Sequence, residues 1–225
     1  MRHYSQLAIF DLDGTLVDSV EQISISLNRA RQEFGYPTQP ISYYQRLVGL
    51  PIDELLSDLE LSKIDFVNIV RHFRKYLLLD IQSGNNLVFP GVLSVLALFT
   101  DIQIGLAVAT SKPTNIATEV VDHSLLRDYE FHVQGTDGFP PKPNPEVIIR
   151  VLRHYPSTPS FMIGDRTEDI YSAQSAGIPA IGIASSAHSE NDLRDAGAKL
   201  AFESFQDFYN YLNANRSLIP NLSQS

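Results

Sequence analysis

The segment Phe10-Asp11-Leu12-Asp13-Gly14-Thr15-Leu16-Val17-Asp18-Ser19 restricts the fold more than any other part of the chain, because two aspartates and a glycine directly follow the apolar run Leu7-Ala8-Ile9-Phe10. A short, continuous apolar run that stops at a turn is the mark of a strand buried on both faces, as in a parallel sheet. Residues two apart in an extended segment point the same way, so Asp11 and Asp13 leave the strand's C-terminal end together, and Gly14 permits the sharp turn that follows. Two carboxylates about 4 Å apart repel by roughly 4 kcal/mol at an effective dielectric near 20, so the pair calls for a cation or a bound proton. A plain Asp-Gly turn is the simpler reading. Against it, the five fixed positions of D-x-D-G-T-x-x-D arise by chance in such a chain on the order of once in ten thousand, and the segment is read as a chemical site.

Downstream, Val20, Ile23, Leu27, Ala30 and Phe34 recur at helical spacing, Pro37 and Pro40 break that helix, and Ser62-Lys63-Ile64-Asp65 opens another to about Leu79, with an apolar stripe including Val67, Val70, Phe73 and Leu77. Residues 18–87 therefore read as an all-helical insertion, a cap, that leaves and rejoins the chain near the first strand's end. From Phe89 onward strand and helix alternate. Apolar runs at 102–109, 131–134, 161–163, 180–183 and 200–202 are expected strands, with helices between them and a frayed tail over 216–225. The fold class is α/β, an open, doubly wound parallel sheet (Rossmann-like) over 1–17 and 88–215 with the helical cap inserted after its first strand.

Composition narrows the partners. A net charge of −9 offers no basic surface for nucleic acid or anionic membrane, so a small anionic substrate, a phosphorylated metabolite, is expected in a local cluster of cations. The absence of cysteine excludes disulfides, zinc-thiolate sites and thiol nucleophiles. With no leader-like start and no stretch able to span a bilayer, a cytoplasmic location is expected. Monomer and homodimer are equally compatible with the sequence.

In doubly wound sheets ligands bind beyond the strands' C-terminal ends. There the sequence places Asp11 and Asp13, then Thr110 and Ser111, then Asp165 and Asp169, with Lys142 in the loop between. Such a set suits a hard cation and a phosphate. Magnesium (Mg2+) would take Asp11, the Asp13 backbone carbonyl and Asp165; Thr110 and the Ser111 amide would donate to the phosphate; and Lys142 would neutralise both phosphate and nucleophile.

Asp11-Leu12-Asp13-Gly14-Thr15, Thr110 after its strand, Lys142-Pro143-Asn144-Pro145-Glu146 and Gly164-Asp165 through Asp169 resemble, in order and spacing, the four signatures of the haloacid dehalogenase superfamily. The inserted helices, with Val48-Gly49-Leu50-Pro51, are similar to its cap subclass that includes phosphoglycolate phosphatases. The resemblance implies that Asp11 is the nucleophile, forming an aspartyl-phosphate, that Asp13 is the general acid and base, and that Asp165 holds magnesium with Asp169 supporting it from behind. It implies a phosphatase of a small phosphomonoester, phosphoglycolate first. Pyrophosphatase, nucleotidase, and sugar-phosphate phosphatase or mutase stand as alternatives within the family, and a non-catalytic sensor of a phosphorylated metabolite as an alternative outside it. Asp13 argues against the dehalogenases and transport ATPases of the family, which carry Tyr or Thr there; Pro51 and Ile52, where mutases have an arginine, argue against a mutase.

Arg46 and Gly49 in the cap loop and Lys112 beside the phosphate strand are candidate substrate contacts, with a surface charge as the alternative for Arg46 and for Lys112. Two positions depart from the family pattern. The loop Ala184-Ser185-Ser186-Ala187-His188 lacks the usual aromatic-glycine pair, and Arg166 stands where Ser or Thr is common and is read as facing water. The six histidines show no ligand spacing.

Overall fold

The computed structural model describes residues 4–84 and 86–224. Six strands, β1 (Gln6–Phe10), β4 (Ile104–Ala109), β5 (Phe131–Gln134), β6 (Ser160–Gly164), β7 (Ala180–Ile183) and β8 (Leu200–Phe202), form one sheet in the order β5-β4-β1-β6-β7-β8. Every neighbouring pair is parallel. The chain builds outward from β1 to β5 on one side and then returns to lay β6 against the other side of β1, so the order reverses beside the strand that carries Asp11.

Alternate residues of β1 serve opposite cores. Ala8 and Phe10 pack with α5 (Val92–Asp101), α6 (Thr114–Asp122) and α10 (Phe205–Ala214); Leu7 and Ile9 pack with α7 (Glu146–His154), α8 (Thr167–Ser175) and α9 (Glu190–Asp195). Burial on both faces is why β1 reads as an uninterrupted apolar run. Among the described residues no helix is long and apolar enough to cross a membrane.

Between β1 and β4 lie α1 (Val20–Glu33), α2 (Ile41–Tyr44), α3 (Ile52–Leu55) and α4 (Lys63–Gln82). Ser62 caps α4, its hydroxyl accepting the Asp65 N–H at 3.1 Å, as the local sequence suggests. The helix buries Ile69, Val70, Phe73, Leu77 and Ile81. Val67, expected in that stripe, is 57% exposed: the buried set keeps the i, i+3, i+4 progression from Ile69 onward, and Val67 lies at the edge of a surface depression near Phe66 and Leu61. Both ends of this helical stretch are tied by two short strands that the sequence reading did not foresee, β2 (Val17–Asp18) and β3 (Leu87–Val88), which pair antiparallel.

The tail also differs from expectation. Residues 216–221 form a 3-10 helix, Ile219 and Leu222 are buried against the core, and the Gln6 side chain donates to the Pro220 carbonyl at 2.9 Å. Two apolar side chains and a satisfied buried amide hold the segment where composition alone suggested fraying.

Candidate active site

All of the core candidates meet at the C-terminal ends of β1, β4 and β6. Asp11, the first residue past β1, is buried, and Lys142 Nζ lies 2.8 Å from its Oδ1. The same ammonium reaches Asp169 Oδ1 at 2.5 Å and donates to the Ala109 carbonyl at 3.1 Å, so one buried lysine joins the ends of β1 and β4 to the first turn of α8. Asp169 spends its other oxygen on the Arg166 N–H, 3.1 Å away, which fixes the loop that carries Asp165. Asp165 Oδ1 accepts the Thr15 hydroxyl at 2.7 Å. Gly14, at φ +84°, is required where it stands: a Cβ there would sit 2.6 Å from Asp165 Oδ2.

Asp13 goes another way. Its side chain pairs with Lys112, whose Nζ is 3.1 Å from Oδ2, while Asp11, Asp165 and Asp169 bring one oxygen each within 4.8 Å of one another. The repulsion foreseen between Asp11 and Asp13 is thus relieved by two lysines, and Lys112, read as touching either substrate or solvent, is half-buried with its ammonium on Asp13. Thr110 is buried at the end of β4, its hydroxyl oxygen accepting the Lys112 N–H at 3.3 Å, and Ser111 follows on the wall of the adjoining cavity.

These carboxylates are electrostatically uncomfortable. Burial, reinforced by Asp169 and Asp165, pushes Asp11 up to about 8 in spite of Lys142, and burial with Asp169 pushes Asp165 up to about 6 against its hydrogen bonds. Burial alone would lower Lys142, but Asp11 and Asp169 more than reverse this and keep it charged. Asp11 Oδ2 and Asp13 Oδ1 have no hydrogen-bond partner among the described residues. Three crowded carboxylates, with Asp11 Oδ2 orphaned among them, fit a small hard dication such as magnesium.

A cavity of about 200 Å³ opens from Asp13, Ser111 and Lys112 into the inserted helices. Its far wall is mostly apolar, with Ile23, Leu50, Ile52 and Phe73, and Gly49 lies on it. Arg46 is not on that wall; it is exposed, and its carbonyl accepts from Arg166. The arginine that lines the cavity is Arg74 of α4, unremarked in the sequence because it follows Phe73 on a helix already full of charge. Arg166 reverses its expectation: it is 5% exposed, and its guanidinium reaches the inserted helices instead of water.

A family model described as "Haloacid dehalogenase-like hydrolase" matches residues 8–183. The chain is 29% identical over 208 residues to "Probable phosphatase IndB" of Dickeya dadantii, covering 89% of this chain and 90% of that one. It is 31% identical to a "Phosphoglycolate phosphatase" of Vibrio parahaemolyticus, covering 79% and 83%. Among solved structures, a "predicted phosphatase" from Clostridium acetobutylicum superposes with a TM-score of 0.79 at 25% identity, over 95% of this chain and all of the other.

Proposed function

The chain belongs to the haloacid dehalogenase-like hydrolase family, and from that premise we propose that it is a magnesium-dependent phosphatase of a small phosphomonoester, working through an aspartyl-phosphate on Asp11. The observation that carries the reading is the buried meeting of Asp11 with Lys142, Asp165 and Asp169, one Asp11 oxygen unpartnered, at the mouth of a cavity that begins at Asp13.

In the first half-reaction the Asp11 carboxylate attacks phosphorus, the ester P–O bond breaks, and Asp13 gives its proton to the departing alcohol. In the second, Asp13 takes a proton from water as that water attacks the phosphorus, and phosphate leaves with Asp11 restored. What supports both duties for Asp13 is that it lines the cavity proposed to receive the alcohol, apart from the carboxylate cluster. Thr110, the Ser111 amide and Lys142 hold the phosphoryl oxygens, and Lys142 also offsets the charge of Asp11. Asp11, the Asp13 carbonyl and Asp165 would hold magnesium, which when bound neutralises phosphoryl charge, with Asp169 acting through Lys142 and the Arg166 amide. Residues 18–87 serve as the cap that excludes water from the site.

Phosphoglycolate is the first substrate to try. Relatives of this length carry that name, and Arg74 on the cavity wall offers a guanidinium to a carboxylate. The test is phosphate release from a panel of phosphorylated metabolites, phosphoglycolate, hexose phosphates, nucleoside monophosphates and pyrophosphate, with magnesium and with chelator. Release from a short monoester only when magnesium is present is the expected result. Binding of the same compounds without release would favour a sensor and overturn the proposal.

A further inference from the structure

Arg166 is the first residue after Asp165 and the cap residue of α8, and its two ends are engaged in different parts of the molecule. Its backbone N–H is held by Asp169, the carboxylate that also binds Lys142. Its side chain crosses the crevice, and Nη1 donates to the carbonyls of Arg46 and Val48, each at 3.1 Å. A Glu168 carboxylate oxygen lies 3.3 Å from Nε and balances the charge. These carbonyls belong to the turn that follows α2, where a chain end leaves acceptors without helical partners. The neighbouring Gln45 carbonyl is taken from the same side, by the Ser186 hydroxyl at 3.0 Å. Donors from two separate loops of the sheet thus grip three carbonyls of one turn.

Gly49 shows how tight the grip is. At φ +94°, it packs so that a Cβ would fall 2.9 Å from Arg166 Cδ and 3.6 Å from the Asp13 carbonyl. The loop is therefore pressed between the Arg166 side chain and the backbone of Asp13, and its next residues, Leu50 to Ile52, form a wall of the cavity.

We propose that Arg166 is a positioning residue that sets the Gly49 loop against Asp13, so that the wall facing the leaving group is placed by the same loop that presents Asp165. Its part in turnover rests on the phosphatase reading; the tether itself does not. Removing the donors frees the loop without touching any group proposed to act on phosphorus, so the cost falls on substrate capture.

The test uses the full chain. Arg166→Met keeps an aliphatic stem against Gly49 and loses every donor, and Arg166→Lys keeps one. Amide hydrogen exchange over 45–50, read without substrate or metal, is expected to rise about tenfold in Arg166→Met, the loss of two charge-assisted hydrogen bonds, and less in Arg166→Lys, while β1 and β6 do not change. With p-nitrophenyl phosphate and magnesium, KM is expected to rise about fivefold or more in Arg166→Met with kcat within about twofold of the parent. Unchanged exchange over 45–50 in Arg166→Met overturns the proposal, and so does a fall in kcat with KM unmoved. If Arg166→Met fails to fold, Ser186→Ala, an outer partner of the same turn, carries the exchange test, and an unchanged rate there overturns it. A parent protein inert toward every phosphate ester would remove the proposed function and leave the exchange arm to decide the tether by itself.

Discussion

The molecule holds two knots of charge, one in the inserted helices and one at the end of the sheet, and they are built to opposite ends. In the first, the fully buried Arg31 donates from Nε to the Pro37 carbonyl at 2.7 Å, from Nη1 to the Tyr44 hydroxyl at 3.3 Å, and from Nη2 to Asp58. Asp58 also accepts from Gln39 at 2.8 Å and from the Tyr43 hydroxyl at 3.0 Å. Burial by itself would raise Asp58, but these donors, Arg31 foremost, hold it below the ordinary carboxylate range. In the second knot Asp11 and Asp165 are pushed upward, and two aspartate oxygens lack partners. The first knot reaches solvent at Asp58 and finds partners for its charges within the chain. The second is buried throughout and leaves carboxylate oxygens without partners among the described residues, the contrast expected between a structural ion pair and the binding centre proposed above.

The largest effect expected from breaking this contrast is at Asp11. Asp11→Asn removes the proposed nucleophile, so turnover of an aryl phosphate should fall by at least about a thousandfold, while the metal-free protein melts at or above the parent temperature because a strained carboxylate is gone. Assays and thermal melts on one preparation check both halves, and retained activity would end the covalent mechanism.

Arg31→Met should behave in the reverse manner, costing about 3 kcal/mol in urea denaturation by leaving the Pro37 carbonyl and the buried Tyr44 hydroxyl without their donor, with kcat of the folded protein unaltered. A smaller loss than that of an ordinary surface substitution would show that the knot in the helices is dispensable.

The two knots should also part on titration. Asp11 and Asp165 bind protons more tightly folded than unfolded, so their contribution to stability is full below about pH 4 and is lost as pH rises through about 6 and then about 8. Metal-free protein should therefore melt several degrees lower at pH 8 than at pH 5. Magnesium should oppose the fall most strongly at the upper end, where its ligands are ionised. Scanning calorimetry across that range, with and without magnesium, decides it, and a metal-independent profile would count against the centre.

The mildest case is Asp58→Asn, in which the amide oxygen still accepts from Arg31 but the charge is lost. A cost of about 1 to 2 kcal/mol with no change in KM is expected, measured by the same denaturation and kinetics.

How much of this could be read in advance depended on range along the chain. Asp11, Asp13, Lys142, Asp165 and Asp169 each sit in a short run whose neighbours announce a strand end or helix start, and the fold then brings those ends to one crevice. Arg166 could not be read in the same way. Nothing beside it in sequence shows that the Arg46 and Val48 carbonyls lie above it, so a charge after an aspartate reads as facing water. Lys112 is ambiguous in sequence for the same reason, since its partner Asp13 lies far back in the chain. The β2 and β3 strands escaped because two residues carry no period. The tail escaped because Ile219 and Leu222 look incidental without knowledge of the core face they cover. Arg74 was hidden by company, one cation on a helix with several.

The pairing of Val17 with Val88 and of Asp18 with Leu87 has a consequence for the molecule's history as well as its motion. Departure and return of the helices are stitched at one spot, so everything between can be lengthened, shortened or exchanged without rethreading a single strand of the sheet. A lineage that kept the stitch and replaced the intervening residues would inherit the same phosphorus chemistry and acquire a new appetite.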